Sequence, residues 1–514
     1  MTGRNEHFER QHQAADPAGS AWVAASAGTG KTKVLIDRLL RLLLDGTPPS
    51  RLLCLTFTKA AAKEMTLRLA DKLRDWVSAG DAELTKELHE LSGAAPDAKR
   101  RLAARRLFAR VIDAPGGLRI DTIHAFCQSL LRRFPIEARL HPNFHVLAER
   151  SAEELLREAR DAMLAEAAHD PALSAALAAV TARIGEYVFN ETMQGLIAER
   201  SRLEALLARH GSIKGLDAAT RTALDVSRED TPESVLDEVC ADVRLDLSGL
   251  RRAAAAMLNG SSGDRTRGQI IADWLADSVG RAARFADYYG VFFIKEGTRR
   301  QTLATQATLK AAPGIEDVLA REAERVGRVE IQRRAAGQAV ATNAMVRLGK
   351  RILDLYAAAK IRRGALDYDD LIIAARDLLR RPSVADWVLY KLDGGIDHIL
   401  VDEAQDTNPE QWEVIAALAE EFFAGEGGNA RERSVFAVGD AKQSIFSFQR
   451  ADPGAFSRMR EHFTARARGA GKSFAPVQLT LSFRSVPAVL QAVDATIAPW
   501  PDPRSEEHTS ELQS

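Results

Sequence analysis

Short apolar runs and amphipathic stretches alternate over the first quarter of the chain and again toward its end, with a different texture between. Ala21 to Ala25 and Arg51-Leu52-Leu53-Cys54-Leu55-Thr56-Phe57-Thr58 are runs of strand length, and a run without polar interruption suits a strand covered on both faces. The segment after the first run places Val34, Leu35, Leu39 and Leu42 on one side of a helix. A second helix begins at Lys59-Ala60-Ala61-Ala62-Lys63-Glu64-Met65, and Asp71 to Val111 reads as charged helix with a turn near Ser92-Gly93. A short strand from Leu118 to Asp121 leads into a helix from Thr122 to Phe134, closed by Pro135. From about Ser151 to Gly364, Ala, Arg, Leu and Glu dominate, and breaks such as Gly260-Ser261-Ser262-Gly263 separate helical pieces. The mixed rhythm returns at Leu366-Asp367-Tyr368-Asp369-Asp370-Leu371. Strand-like runs follow at His398 to Val401, Val435 to Val438 and Val477 to Leu481. The pattern predicts an α/β fold, a doubly wound parallel sheet interrupted by a large, mainly helical insertion.

Composition adds limits. The 514 residues are 46% hydrophobic, enough for more than one domain. Lys+Arg 70 against Asp+Glu 71 leaves a formal net charge of -1, so overall charge lends nucleic-acid binding no support. A local basic track remains open in the arginine-rich stretch Lys99 to Arg110, as does a solvated helical face in salt bridges. Cys54, Cys127 and Cys240 are far apart, which argues against a disulfide scaffold or a cysteine metal cluster. Met1 to Arg10 is polar and no apolar run approaches membrane-spanning length, so a cytoplasmic protein with no membrane partner is expected. Residues 504–514 follow Pro501 and Pro503, are polar, and read like a translated sequencing-adapter oligonucleotide; they are taken as a non-native tail, or else a natural polar one.

Chemistry concentrates in two places. Ala25-Ser26-Ala27-Gly28-Thr29-Gly30-Lys31-Thr32 follows a strand and opens a helix. Glycines there let backbone N–H groups turn around an anion, and the helix adds its positive end. Lys31 then reaches the outer phosphates of a nucleotide, and the Thr32 hydroxyl holds Mg²⁺. The usual pattern begins with glycine; Ala25 departs from it. Ile399-Leu400-Val401-Asp402-Glu403-Ala404-Gln405-Asp406 places two acids at a strand end. Asp402 suits the metal shell and Glu403 the activation of water, although acidic pairs also form ordinary turns.

Asp402-Glu403-Ala404-Gln405-Asp406 resembles the DExQD box of superfamily 1A helicases, the UvrD/Rep/RecB group, and further boxes follow in the family's order. The resemblance implies a RecA-like phosphate-loop NTPase fold and an alanine-led phosphate loop. It also implies an adenine-reading glutamine at Gln11, with Gln13 as competitor. Thr56-Phe57-Thr58-Lys59 and Thr122-Ile123-His124-Ala125-Phe126 resemble boxes that touch single-stranded DNA. Hydroxyls and a helix N-terminus suit phosphates, and a ring suits a base, although Phe57 also reads as packing. Val438-Gly439-Asp440-Ala441-Lys442-Gln443-Ser444-Ile445-Phe446-Ser447-Phe448 resembles the box coupling nucleotide to DNA. It implies Gln443 at the γ-phosphate and Phe446 and Phe448 on bases, with Gln449 or Arg450 as a further DNA contact. Leu479-Thr480-Leu481-Ser482-Phe483-Arg484-Ser485 resembles the box whose arginine, here Arg484, neutralises transferring phosphate; Ser482 and Phe483 replace the usual Asn and Tyr.

The stretches Ser20 to Thr32 and Phe436 to Gln449 are most similar to AddA-type helicase–nuclease subunits, and the long separation of Phe126 from Asp402 fits a RecB- or AddA-sized insertion better than that of compact UvrD. That implies an ATP- and Mg²⁺-dependent 3′→5′ DNA helicase or translocase at double-strand-break ends. Its DNA partners are single strands and duplex ends, and its protein partner is an AddB-like nuclease subunit. Residues 1–150 and 360–475 are expected to form motor domain 1A, 151–359 a 1B-like helical insertion, and 476–503 the truncated start of a RecA-like domain 2A. No later helicase box and no nuclease domain is found in the chain. Two alternatives stay open: a phosphate-loop switch that does not unwind DNA, and an inactive ATP- or DNA-binding fragment.

Overall fold

The computed structural model describes residues 2–26, 28–382, 384–392, 395–423, 432–440, 443, 452–481, 483 and 486–497. Its strands in chain order are β1 (Ser20–Ala25), β2 (Leu52–Thr56), β3 (Arg119–Thr122), β4 (His145–Val146), β5 (Ala365–Leu366), β6 (His398–Val401), β7 (Ser434–Gly439) and β8 (Phe474–Leu479). Six of them form one sheet in the order β3–β2–β6–β7–β1–β8, and every pairing is parallel. The two strands nearest the end of the chain before β8, β6 and β7, lie between β2 and β1. The acid pair and the phosphate loop are thereby brought to one edge of the sheet.

Alternate residues of each strand feed two cores. Ala21, Val23, Ala25, Leu400, Phe436 and Val438 pack with the helices Lys31–Leu44, Lys59–Ser78, Asp81–Ser92 and Ala98–Ile112. Trp22, Ile399, Val401, Val435 and Ala437 pack on the opposite face with Ile123–Arg133, Tyr368–Arg380, Pro409–Ala419 and Pro453–Gly469. On that face Trp22 stacks on Trp412 at 5.5 Å between ring centroids and meets Phe456 at 4.8 Å. Period-two alternation with both faces apolar is why these strands read as unbroken apolar runs.

The chain divides into two compact units, Met1–Ala148 with Gly364–Ser514, and Glu149–Arg363. The first contains the sheet, and its β4 and β5 pair with each other where the chain leaves for the second unit and returns. The second unit is helical and is built along the 49-residue helix Ile315–Arg363. Its core stacks Trp274 on Tyr288 at 3.8 Å, and the Tyr288 hydroxyl donates to Glu322 Oε1 at 2.7 Å. Among the described residues no single helix is long and apolar enough to cross a membrane.

One expectation is corrected, and one open alternative gains support. The strand expected at 477–481 is Phe474–Leu479, and it hydrogen-bonds to β1. The boundary placed after residue 475 therefore falls inside a strand of the first unit. β8 contains Pro476 and is the outer strand, where a missing N–H is tolerated. The basic stretch Lys99 to Arg110 is a salt-bridged helical face. Arg100 pairs with Asp45 at 3.0 Å and Arg105 with Asp81 at 2.8 Å, and Arg110 donates to the carbonyls of Leu43, Gly46 and Thr47.

Candidate active site

Gln11 apart, the described candidates lie at or after the carboxyl ends of β1, β2, β3, β6 and β7, the edge where parallel sheets of this kind bind ligands. After β1 the chain turns through Gly28 (φ +79°) and Gly30 (φ +92°), a left-handed backbone that glycine adopts readily. The Ser26 carbonyl accepts from Thr29 N at 3.3 Å and from Thr29 Oγ1 at 2.8 Å, closing the loop. Gly30 then caps the helix Lys31–Leu44 without a side-chain acceptor, so the first-turn N–H groups form an anion-binding end. Gln11, 4% exposed, donates from Nε2 to the Thr29 carbonyl at 3.3 Å, and Gln13 is exposed. A Cβ added at Gly30 would stand 3.0 Å from that Gln11 nitrogen. Phe483 N donates to the Gly28 carbonyl at 2.8 Å, bringing the segment before Arg484 to the loop. Thr32 is half-buried in the helix's first turn, and Ala27 lies outside the described residues.

Asp402 and Glu403 leave the end of β6. The Asp402 side chain is nearly buried, and Oδ1 accepts from Glu403 N at 3.0 Å. Burial first, and the neighbouring Glu403 charge second, push its carboxyl up to about 6. A buried acid beside a second acid suits a cation, and hydroxyl and carboxylate oxygens are the hard donors that Mg²⁺ takes. Glu403 itself has φ +48° and ψ +44°, a left-handed conformation costing a non-glycine residue about 1–3 kcal/mol.

The side chains close a hydrogen-bonded circuit. Lys31 Nζ lies 3.0 Å from Glu403 Oε2 and donates to Gln443 Oε1 at 3.2 Å. Gln405 Nε2 donates to the same Glu403 oxygen at 2.8 Å, and Gln405 Oε1 accepts from Asp440 N at 2.9 Å. Gln443 N donates to the Asp440 carbonyl at 2.9 Å, completing the ring. Sequence reasoning named Lys31, Glu403 and Gln443 and missed Gln405 and Asp440. Its signal was present, since Gln405 stands two residues after Glu403 in the acidic box. Arg38 was also missed. It is fully buried and donates to the carbonyls of Ala14, Asp16 and Gly19 and to Ser434 Oγ, tying the Gln11 helix to the sheet.

The candidate DNA contacts divide. Thr58 and Lys59 are exposed, and Thr58 caps its helix by accepting from Ala61 N at 3.1 Å. Thr56 is buried and donates to the Thr58 carbonyl, and Phe57 is half-buried. Thr122 caps the next helix, and His124 meets the Tyr368 ring edge-on at 5.5 Å. Phe126 is a correction: it is 0% exposed in the core with Arg119 over its ring, so it has no face to offer a base. Arg484, Phe446, Phe448, Gln449 and Arg450 lie outside the described residues.

Backbone amides at a helix N-terminus, a lysine, and a buried acid beside a half-buried one, meeting at one edge of a parallel sheet, are how phosphate-loop nucleotide-binding α/β proteins are built, and this unit is of that class. The chain belongs to the UvrD/REP helicase N-terminal domain family, whose model matches residues 7–464. It is similar to the AddA subunits of bacterial ATP-dependent helicase/nucleases. Identity is 27% to that of Geobacillus kaustophilus, over 94% of this chain and 40% of the relative. The corresponding figures are 24%, 89% and 36% for Pediococcus pentosaceus, and 25%, 96% and 40% for Lactobacillus johnsonii. The chain thus spans between 36% and 40% of the length of these relatives.

Proposed function

We propose that the chain is the ATP-hydrolysing motor portion of a 3′→5′ DNA helicase or translocase subunit. That subunit processes double-strand-break ends for recombinational repair, together with an AddB-like nuclease subunit. The hydrogen-bonded circuit through Lys31, Glu403 and Gln443 carries this reading, because it joins a phosphate-binding cation to a carboxylate able to activate water. Family membership and the names of the relatives support the DNA and repair parts. The sheet unit is the motor domain 1A, the helical unit its 1B-like insertion, and the chain beyond β8 leads into domain 2A.

In this reading the phosphate loop and Lys31 bind the triphosphate, and Gln11 reads the adenine. Thr32 and Asp402 would hold Mg²⁺, which would neutralise charge on the outer phosphates. Glu403 accepts a proton from water as the water oxygen bonds to the γ-phosphorus and the bond to the departing ADP oxygen breaks. Gln443 contacts the γ-phosphate, and Arg484 neutralises the transferring group. Phe57, Thr58, Lys59, Thr122 and His124, with Phe446, Phe448 and Arg450, form the path for single-stranded DNA; Thr56, 1% exposed, supports it from beneath through its hydrogen bond to the Thr58 carbonyl.

The test is ATP hydrolysis measured with and without single-stranded DNA, in the unaltered protein and in Lys31→Ala. Hydrolysis stimulated by DNA and abolished in the variant is the expected result. Hydrolysis indifferent to DNA would instead support a nucleotide switch.

A further inference from the structure

We infer that Gln405 is a positioning residue that keeps the Glu403 carboxylate aligned with the end of β7, so that Glu403 holds its aim when Lys31 turns to phosphate. The inference rests on the reading of Glu403 as the proton acceptor.

The Gln405 side chain is 2% exposed, and its orientation is determined by its neighbours. Asp440 N can only donate, so the amide oxygen must face it, at 2.9 Å. The amide NH₂ then points to Glu403 Oε2 at 2.8 Å and to Asp406 Oδ2 at 3.3 Å. A side chain at this position therefore has to donate and accept at once. An ionised glutamate accepts only, and alanine does neither. Gly439 makes room for the arrangement: a Cβ there would stand 2.6 Å from Gln405 Oε1.

Glu403 Oε2 receives two donors, Lys31 and Gln405. They differ in what else they serve. The lysine is the group placed to bind phosphate, whereas the amide is anchored to backbone at the mouth of β7. When the ammonium leaves, Gln405 remains as the buried donor that orients the carboxylate. Glu403 needs such a restraint because its backbone sits in the left-handed region. Through the Asp440 carbonyl, which accepts from Gln443 N, the same link reaches the residue expected at the γ-phosphate. Misplacement of a catalytic group by about 1 Å costs on the order of a hundredfold in rate.

The experiment compares ATP turnover, binding of a fluorescent ATP analogue and thermal unfolding in Gln405→Ala, Gln405→Glu and Gly439→Ala of this chain. The expected result is a kcat lowered roughly tenfold to a hundredfold in all three, with analogue affinity within about twofold of the unaltered protein. Gly439→Ala then reproduces the loss with Gln405 still present. An unchanged kcat in Gln405→Ala overturns the inference. So does a parallel fall of kcat, affinity and melting temperature, which a merely structural role produces. If the unaltered protein binds the analogue but hydrolyses nothing, it is the inactive nucleotide-binding fragment, and the positioning claim is decided by unfolding alone; if it does not bind the analogue either, the reading of the function fails. Melting-temperature losses of Glu403→Ala and Gln405→Ala that are not additive in the double variant support the link, and additive losses overturn it.

Discussion

Lys31 and Glu403 are 372 positions apart in the chain, yet the lysine Nζ and the glutamate Oε2 are 3.0 Å apart. Their side chains are 11% and 38% exposed. A pair open to water on one side contributes little stability, about 0–1 kcal/mol. Such a pair exchanges readily for a more highly charged partner, which is what the proposed phosphate-binding role of Lys31 requires. Its worth is in placement: it holds an ammonium between the ends of β1 and β6, with Gln443 from the end of β7 as the second acceptor.

Lys31→Ala is expected to abolish ATP hydrolysis while leaving the fold intact. The residue contributes one partly exposed ion pair and no core packing. Circular dichroism and the melting temperature, read beside the turnover assay, check both halves. Retained hydrolysis would remove the phosphate-loop assignment.

Gly30→Ala should weaken nucleotide binding and lower stability together. Gly30 has φ +92°, and the new Cβ would stand 3.0 Å from Gln11 Nε2. Strain of this kind costs about 1–3 kcal/mol. Chemical denaturation and analogue binding measure the two effects.

Phe126→Ala should destabilise the protein by about 3–5 kcal/mol, as for a large ring removed from a core, because Phe126 is 0% exposed. Lys59 is exposed at the start of its helix, so Lys59→Ala should leave stability unchanged. If this edge carries DNA, it should also weaken single-stranded DNA binding and flatten its salt dependence. A melting temperature that falls in Lys59→Ala, or stays constant in Phe126→Ala, would contradict this division.

Acid should unfold the protein partly through His398. Burial, then the nearby Arg38 charge, pull its imidazole down to about 4, against the weaker opposing pull of Asp397, and its Nδ1 lies 2.8 Å from Ser434 Oγ. Between pH 6.5 and 4 the unfolded chain takes up a proton that the folded one refuses. Stability is therefore full above pH 6.5 and falls as pH drops through this window, by about 3 kcal/mol. In His398→Gln, unfolding free energies should show a shallower slope between pH 6.5 and 4.5.

Much of this was legible because it is written in contiguous residues. Residues 52–55 and 399–401 are apolar without interruption, and they form the bodies of strands buried on two faces. The turn Gly28-Thr29-Gly30 and the pair Asp402-Glu403 need only their immediate neighbours to be recognised, since backbone freedom and strand ends are local properties. The start of β8 was less legible, because a strand that includes Pro476 is acceptable only at an outer position, and periodicity carries no information about strand order. Phe126 misled for a similar reason. A ring one helical turn past a capping threonine can face ligand or core, and the cover from the Tyr368–Arg380 face decides which.

By itself, the sequence determined the main strands of the sheet, the glycine turn before Lys31, the acid pair and the separation of strand-bearing from helical stretches. These follow from short-range patterning and backbone conformation. The order β3–β2–β6–β7–β1–β8 was decided only in three dimensions, by parallel pairing between strands hundreds of residues apart. That order brings Gln405 to Asp440 and Lys31 to both Glu403 and Gln443. Each of those hydrogen bonds needs two donor and acceptor groups brought within about 3 Å, a distance that only the packed sheet sets.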